Sequence, residues 1–244
     1  MGQGILASGE NELGFMIEGV FKYKFFGSTV WFTTSNICLI IVVLLLCIFS
    51  IVAGHCIKKE TDEPNGFQCF IELIVEKLDG MIGNTMNPGG YKAYRNYIGT
   101  IFCFILISNI SGLLGLRPPT ADYGVTLPLG IITFTLIHYN QFKYNKPSTI
   151  WRDMTSPLPP WLPIWFPINL ISEIAVPISL SLRLFANVLS GTIMMALVYG
   201  LLKFIAIGWP AVLHVYFDLF SGAIQTYVFC MLTMTYITNQ RGDN

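Results

Sequence analysis

Five long apolar segments constrain the fold of this 244-residue chain more than any other feature of its sequence. A membrane-spanning helix needs about 20 mostly apolar residues, because lipid offers no partners for backbone hydrogen bonds. The five segments lie at 35–56, 97–116, 124–140, 168–207 and 209–238. They predict an all-α membrane protein with five transmembrane helices, so that residues 1–244 form a single membrane domain with an N-terminal segment at 1–34.

The composition agrees with a membrane protein, since charged residues supply only 11% of the chain and hydrophobic residues 53%. Soluble domains carry roughly 25% charged residues, so much of this chain needs a lipid bilayer as its solvent. The net charge of +0 gives no basic field, and we therefore exclude nucleic acid as a partner. The six cysteines have no metal-ligand spacing, so we expect neither a metal nor a cofactor.

Residues 66–86, between the first two apolar segments, have a different pattern. Apolar side chains recur every three or four positions from Phe67 to Ile82, and charged side chains fill the opposite face. The charged residues are too many for a helix that crosses the lipid core. We predict one amphipathic helix that lies along the membrane surface.

The fourth segment, 168–207, is too long for an upright crossing. About 40 residues of helix extend about 60 Å, whereas the hydrocarbon core is about 30 Å thick. The fifth segment is also long, and ordinary helix tilts do not absorb the excess. We expect the last two segments to form a long, steeply inclined hairpin, with Pro177, Gly191 and Gly200 as candidate bend points.

Basic residues in short connections predict the orientation of the chain. Lysines and arginines concentrate in 55–97 and 141–152, and such loops remain on the cytoplasmic side. Five crossings then place the N-terminus outside and the C-terminus inside.

Arg183 lies in the middle of the fourth apolar segment. An arginine there costs about 2.5–3.5 kcal/mol on insertion scales, and the guanidinium group of arginine keeps its charge in proteins. It therefore needs a partner charge or a water-filled cavity. A structural ion pair, or a side chain that extends to the interface, is the simpler alternative.

Polar residues form one stripe on each of the last two segments. On the fourth segment the stripe holds Asn169, Glu173, Ser179, Arg183, Asn187 and Ser190. On the fifth it holds His214, Asp218, Ser221, Gly222 and Gln225. Two facing polar stripes indicate a hydrated path, and the predicted orientation puts Glu173 on the cytoplasmic side of Arg183 and Asp218 on the outer side.

Simpler alternatives remain open for three of these candidates and one more. Glu173 is alternatively an interfacial carboxylate, and Asp218 and His214 are alternatively structural residues. Asp122 precedes the third apolar segment, where it could participate in ion movement or simply cap that helix.

Three motifs together resemble subunit a of F-type ATP synthases in its bacterial form. They are Leu180–Asn187, Pro118–Asp122 and Ile224–Phe229, which read LSLRLFAN, PPTAD and IQTYVF. Their order, spacing and hydropathy match that family from about residue 35 to residue 238.

The resemblance implies an ion-translocating stator subunit that does not itself catalyse ATP chemistry. Two half-channels would lead to the rotor-ring carboxylate, separated by Arg183, and the proton is the expected ion. Asn187 and Gln225 would flank Arg183, while Asp218 would serve the outer half-channel and Glu173 the cytoplasmic one. The remaining candidates for ion translocation are His214, Asp122, Ser179 and Ser190.

The same resemblance implies the partners and the location. The partners would be the carboxylate-bearing subunits of the rotor c-ring, the peripheral-stalk subunit b, other ATP synthase subunits and the lipid bilayer. The location would be the plasma (inner) membrane of a bacterium, with the mitochondrial inner membrane as the alternative.

Two positions depart from the family pattern. Thr192 stands where many bacterial members carry a glutamate or histidine that pairs with the residue at 218, and Asn169 stands where some carry the cytoplasmic-side acid. A self-contained secondary transporter or channel is the main alternative function. It predicts internal repeats, and none is evident. A pure scaffold and an intramembrane hydrolase are further alternatives, the latter without a placed nucleophile and base.

Overall fold

The computed structural model describes residues 19–25, 28–58, 66–114, 116–146, 148, 150, 165–201 and 209–241. Residues 151–164, between the third and fourth predicted segments, and residues 202–208, at the end of the fourth, lie outside the described residues.

A short antiparallel hairpin precedes the helices. Strand β1 spans Gly19–Phe25 and strand β2 spans Ser28–Thr33, with Lys22 opposite Trp31. The hairpin lies within the N-terminal segment 1–34, for which no strand was predicted. The description of the chain as all-α therefore holds for the membrane helices and not for this short N-terminal element.

Helices make up nearly all of the remaining described chain. They are α1 Thr34–Lys58, α2 Gly66–Thr85, α3 Pro88–Ile110, α4 Tyr123–Tyr144, α5 Trp165–Leu201, α6 Trp209–His214 and α7 Gly222–Arg241. Short 3₁₀ turns lie at Ser111–Leu114 and Pro119–Ala121, and a π-helical turn at Val215–Ser221 joins α6 to α7.

Helix α3 begins nine residues before the predicted start at residue 97. Asn87 has extended backbone angles at the N-cap position, and Pro88 occupies the first helical turn. A proline is favoured there because its fixed φ suits a helix and its missing N–H has no intrahelical partner in any case. The polar residues that follow, up to Asn96, therefore belong to the same helix as the apolar ones.

Four helical stretches of the described chain are long and apolar enough to cross a membrane. They are Thr34–His55, Pro88–Leu113, Pro167–Gly200 and Val212–Arg241. The predicted third segment, 124–140, falls within α4 but is not among them. Its threonines, His138, Asn140 and Gln141 lower its hydropathy. The protein is thus a mainly helical, multi-pass membrane protein, and the predicted count of five crossings is not confirmed.

Helix α5 continues without interruption through all three candidate bend points. Its 37 residues include Pro177, Gly191 and Gly200 and extend about 56 Å at 1.5 Å per residue. The excess length is therefore not removed by a break in the helix, although Pro177 still lacks the N–H that would bond the carbonyl of Glu173.

Helix α7 packs against α3, and the long helix α5 packs against α4. Helix α3 packs on α7 through an apolar cluster that includes Ile98, Ile101, Ile105, Phe229, Met234 and Ile237. Helix α4 packs on α5 at Gly130, where an added Cβ would lie 2.7 Å from the carbonyl oxygen of Pro177. Only a residue without a side chain permits the two backbones to approach so closely.

We expect Gly130→Ala to destabilise the protein by about 1–3 kcal/mol, because overpacking forces backbones apart. The measurement is the thermal unfolding midpoint of the purified protein in detergent. Gly99→Ala is the matched control, since an added Cβ at Gly99 on α3 meets nothing within 4 Å. Equal midpoints for the two variants would contradict the close approach of α4 and α5.

Candidate functional site

The contacts along α5 set the order of the functional side chains. His138 of α4 meets Glu173, and the ring of Tyr123 lies 5.7 Å from that of Phe185, so α4 and α5 run antiparallel. Further along α5, Asn187 meets Ser221 at the end of the π-helical turn. Arg183 thus lies between a contact with α4 on one side and a contact with the last helical hairpin on the other.

Arg183 lies on the exposed face of α5, and the opposite face is packed. Leu180, Ser181 and Leu184 are buried, whereas Leu182 and Arg183 are exposed. Within the part of the chain that the structure describes, no carboxylate or other side chain pairs with Arg183. The alternative of an ion pair inside this chain therefore finds no support among those residues.

Ser179 and Ser190, the two serines of the predicted stripe, are exposed on the same helix. The Ser190 hydroxyl donates to the backbone carbonyl of Asn187 at 2.9 Å, and Ser179 lies one turn before Arg183. Asn187 itself is bonded across the helices, since its Oδ1 accepts from the Ser221 hydroxyl at 2.8 Å. This bond joins the two predicted polar stripes.

Asp218 forms a carboxylate–imidazole pair with His214. Oδ2 of Asp218 lies 3.1 Å from Nδ1 of His214, four residues earlier on the chain. Asp218 sits in the π-helical turn, a rare widened geometry that is frequent at functional sites. Gly112 leaves space for it, because an added Cβ there would lie 3.1 Å from the carboxylate.

A small cavity adjoins Asp218. Its volume is about 10 Å³, close to the smallest that holds one water molecule. The residues that line it include Asn109, Pro118, Asn187, Gly191 and Asp218. Thr192, at the position that departs from the family pattern, bonds instead to the carbonyl of Leu189 at 2.8 Å. Asp218 therefore has His214 as its partner, and not a residue of α5.

Gln225 lies two turns beyond Asp218, at the start of α7. Its Nε2 is buried and has no hydrogen-bond partner among the described residues. A buried amide donor without a partner is uncommon in folded proteins and calls for a water, an ion or another chain. Gln225 is thus suited to a contact outside the described chain.

Glu173 is paired with His138, a contact that the sequence reading missed. Nε2 of His138 lies 3.5 Å from Oε2 of Glu173, and each side chain is about one quarter exposed. The signal in the sequence was a lone histidine in an apolar segment. It pointed to no partner, because the pairing depends on how α4 packs against α5.

Asp122 caps α4. Its carboxylate accepts from the backbone N–H of Gly124 at 2.9 Å. Helix capping is the structural role that the sequence offered as the alternative to ion movement. A part for Asp122 in ion movement stays a prediction.

Asn109 is a second residue that the sequence reading missed. It is buried at the end of α3, donates to the carbonyl of Gly222 at 3.1 Å, and accepts from the Thr120 hydroxyl at 2.8 Å. Its side chain therefore ties the Pro-Pro-Thr-Ala turn to the start of α7. Gly222 permits this contact, because an added Cβ would lie 2.8 Å from Asn109 Cβ.

Comparison with known proteins gives one family. The family model described as "ATP synthase A chain" matches residues 36–238. The chain is 37% identical over 196 residues to "ATP synthase subunit a, sodium ion specific" of Propionigenium modestum, covering 74% of this chain and 65% of that relative. The match thus spans just under two thirds of that protein's length.

Other relatives match over nearly their whole length. "ATP synthase subunit a" of Priestia megaterium is 31% identical over 231 residues, which cover 89% of this chain and 94% of the relative. The protein of the same name from Listeria monocytogenes is 31% identical over 232 residues, covering 87% and 93%.

We expect Asn109→Leu to lower the free energy of unfolding by about 1–3 kcal/mol, because it strands the buried Thr120 hydroxyl and removes the hydrogen bond from Asn109 to the Gly222 carbonyl. Thermal unfolding in detergent measures the effect. Ser108→Ala is the control, since the neighbouring buried Ser108 hydroxyl has no partner among the described residues. An Asn109→Leu protein as stable as the control would show that the tie contributes little.

Proposed function

The chain belongs to the ATP synthase A chain family as a bacterial-type subunit a of an F-type ATP synthase, and we propose that Arg183 separates two half-channels in it. Membership makes the protein a non-catalytic, ion-translocating part of the membrane stator, which assembles with other ATP synthase subunits. The positions of the charged side chains support the finer mechanism.

The exposed and unpaired state of Arg183 carries the proposal. A permanent positive charge in a membrane is stable only beside a negative charge or water. Because the described part of this chain supplies no such partner, the carboxylate comes from the c-ring that rotates past α5. Arg183 attracts each ionised ring carboxylate, and its charge repels any cation that would pass directly between the half-channels.

The two acidic residues lie on opposite sides of that barrier. Glu173 precedes Arg183 by ten residues, about 15 Å along α5. Asp218 lies beyond Asn187, near the small cavity. An ion would enter by Asp218, His214 and Asn187, bind a ring carboxylate, travel with the ring, and leave by Glu173. Synthesis and hydrolysis use the same path in opposite directions.

The proton is the proposed ion. Both half-channels contain a carboxylate paired with an imidazole, and imidazole accepts and releases protons near neutral pH. Hard cations such as sodium prefer oxygen ligands. The relative from Propionigenium modestum is named as sodium ion specific, so the assignment to protons depends on these two pairs and not on the family.

We propose that α4 also crosses the membrane, which brings the number of crossings to five, and that α2 lies on the cytoplasmic surface. Polar side chains of α4 are buried against other helices, as where Asn140 accepts a bond from the Tyr94 hydroxyl at 2.8 Å. Such pairing offsets the low hydropathy of the helix. The location is then the bacterial plasma membrane, with the N-terminus outside and contacts to the c-ring and to subunit b.

A self-contained transporter is not favoured. Such proteins build their site from internal repeats, and the candidate crossings here differ in length, from 22 to 34 residues.

Replacement of Arg183 by alanine should abolish ATP-driven proton pumping. We expect a loss of at least about 10²-fold, the order seen when a preorganised charge is removed from a reaction path. The measurement is dye quenching in inverted vesicles, with ring co-purification as the check of assembly. Lys143→Ala, which removes an exposed charge from α4, is the control. Normal pumping by the assembled Arg183→Ala complex would sink the proposed mechanism.

The orientation predicts that Cys69 reacts from the cytoplasmic side alone. Cys69 is exposed on the polar side of α2. A membrane-impermeant maleimide should therefore label it in inverted vesicles and leave it unlabelled in intact cells. Cys69→Ser identifies the labelled site by the loss of that signal. Labelling in intact cells would reverse the proposed orientation.

A further inference from the structure

His138 and Glu173 come together only through the packing of α4 on α5. They are 35 positions apart in the sequence, and the close approach at Gly130 and Pro177 lies next to them along the same helix pair. Nε2 of His138 lies 3.5 Å from Oε2 of Glu173. The register of the two helices therefore holds the pair in place.

The first ring nitrogen of His138 has a fixed role. Nδ1 lies 3.1 Å from the backbone carbonyl oxygen of Phe134. A carbonyl oxygen can only accept a hydrogen bond, so Nδ1 carries a hydrogen and donates it. Whether Nε2 also carries a hydrogen then decides the charge of the ring.

The second ring nitrogen faces a carboxylate oxygen. A neutral ring with its hydrogen on Nδ1 would direct a lone pair of Nε2 towards the lone pairs of an ionised Glu173, and the two would repel each other. The repulsion disappears when one proton lies on Nε2 or on Oε2. In the first case the pair is imidazolium and carboxylate, and in the second it is imidazole and carboxylic acid.

We infer that His138 and Glu173 hold one exchangeable proton between them and form a proton-carrying pair on the cytoplasmic side of Arg183. This rests on the proposed function and adds His138 to the cytoplasmic half-channel. It also assigns that half-channel to protons, because the exchangeable hydrogen sits between a nitrogen and an oxygen, where sodium has no set of oxygen ligands.

The proton balance of the pair is simple. In the unloaded state the pair is neutral imidazole and carboxylate, with a net charge of −1. A proton released by a ring carboxylic acid breaks one O–H bond there and forms one N–H or O–H bond at the pair, which then has no net charge. Loss of that proton to water on the cytoplasmic side restores the unloaded pair. The reverse sequence loads the ring from the cytoplasm.

Neither side chain is fully enclosed by the described chain. Each is about one quarter exposed, so each is packed on one side and uncovered on the other. The 3.5 Å gap is longer than a direct hydrogen bond, and a small side-chain rotation closes it.

The test measures passive proton flux through the membrane sector. The assembled complex in inverted vesicles is stripped of its peripheral catalytic sector, a potassium diffusion potential drives protons, and the rate is divided by the amount of c-ring. We expect His138→Gln to lower this flux by at least about tenfold, because glutamine keeps polarity but carries no proton. His55→Gln is the control, since His55 is an exposed histidine on α1.

An exchanged pair separates proton carriage from packing. His138→Glu combined with Glu173→His restores one imidazole and one carboxylate, and we expect flux within about threefold of the native value. This variant also decides the matter if His138→Gln does not assemble. Native flux in His138→Gln, or flux in the exchanged variant as low as in His138→Gln, would overturn the inference.

Failure of the inference is distinguishable from failure of the proposed function. If Arg183→Ala stops pumping while His138→Gln conducts protons normally, the two half-channels stand and the pair does not. If the native complex carries sodium and the His138→Gln complex carries it at the same rate, the inference that this pair carries protons is likewise overturned. If Arg183→Ala pumps normally, the proposed function itself has failed.

Discussion

A charge that cannot be removed, placed within an apolar helix, governs the arrangement of this protein. Arg183 cannot become neutral in the bilayer, and its face of α5 is exposed while Leu180 and Leu184 pack on the other face. Because the helix is anchored by its packed face, the arginine is presented to a neighbour instead of being neutralised within the described chain. In the proposed mechanism, each carboxylate of the rotating ring pairs with Arg183 as it passes.

Precise presentation of the charge requires rigid neighbours, and backbone contacts supply them. Gly130 permits α4 to touch α5, and Asn109 ties the Thr120 turn to Gly222 at the start of α7. These contacts involve backbone atoms and short polar side chains, whose geometry varies little. Such ties also cost less than ionic ones in lipid, since each polar atom is satisfied inside the protein. Arg183, Glu173 and Asp218 take no part in these two contacts.

The sequence predicted the four long apolar helices and the place of Arg183 within α5, and the placement of Glu173 and Asp218 on opposite sides of Arg183 stays a prediction. These follow from composition and helical periodicity, which are local. The His138–Glu173 pair could not be predicted, because it depends on the register between α4 and α5, which Gly130 sets. The hairpin at residues 19–33 was missed because its strands are short and precede the strong apolar signal. The start of α3 at Pro88 was missed because hydropathy does not mark a polar first turn.

The two carboxylate–imidazole pairs depend on different physics. His214 and Asp218 are four residues apart on one stretch of helix, so local backbone geometry keeps them together even if neighbouring helices shift. His138 and Glu173 stay together only while α4 remains packed on α5. Loosening that packing, for example with a side chain at Gly130, would part the cytoplasmic pair and leave the outer pair intact. Because the proposed path passes through both pairs in series, the loss of either pair would slow transport in both directions.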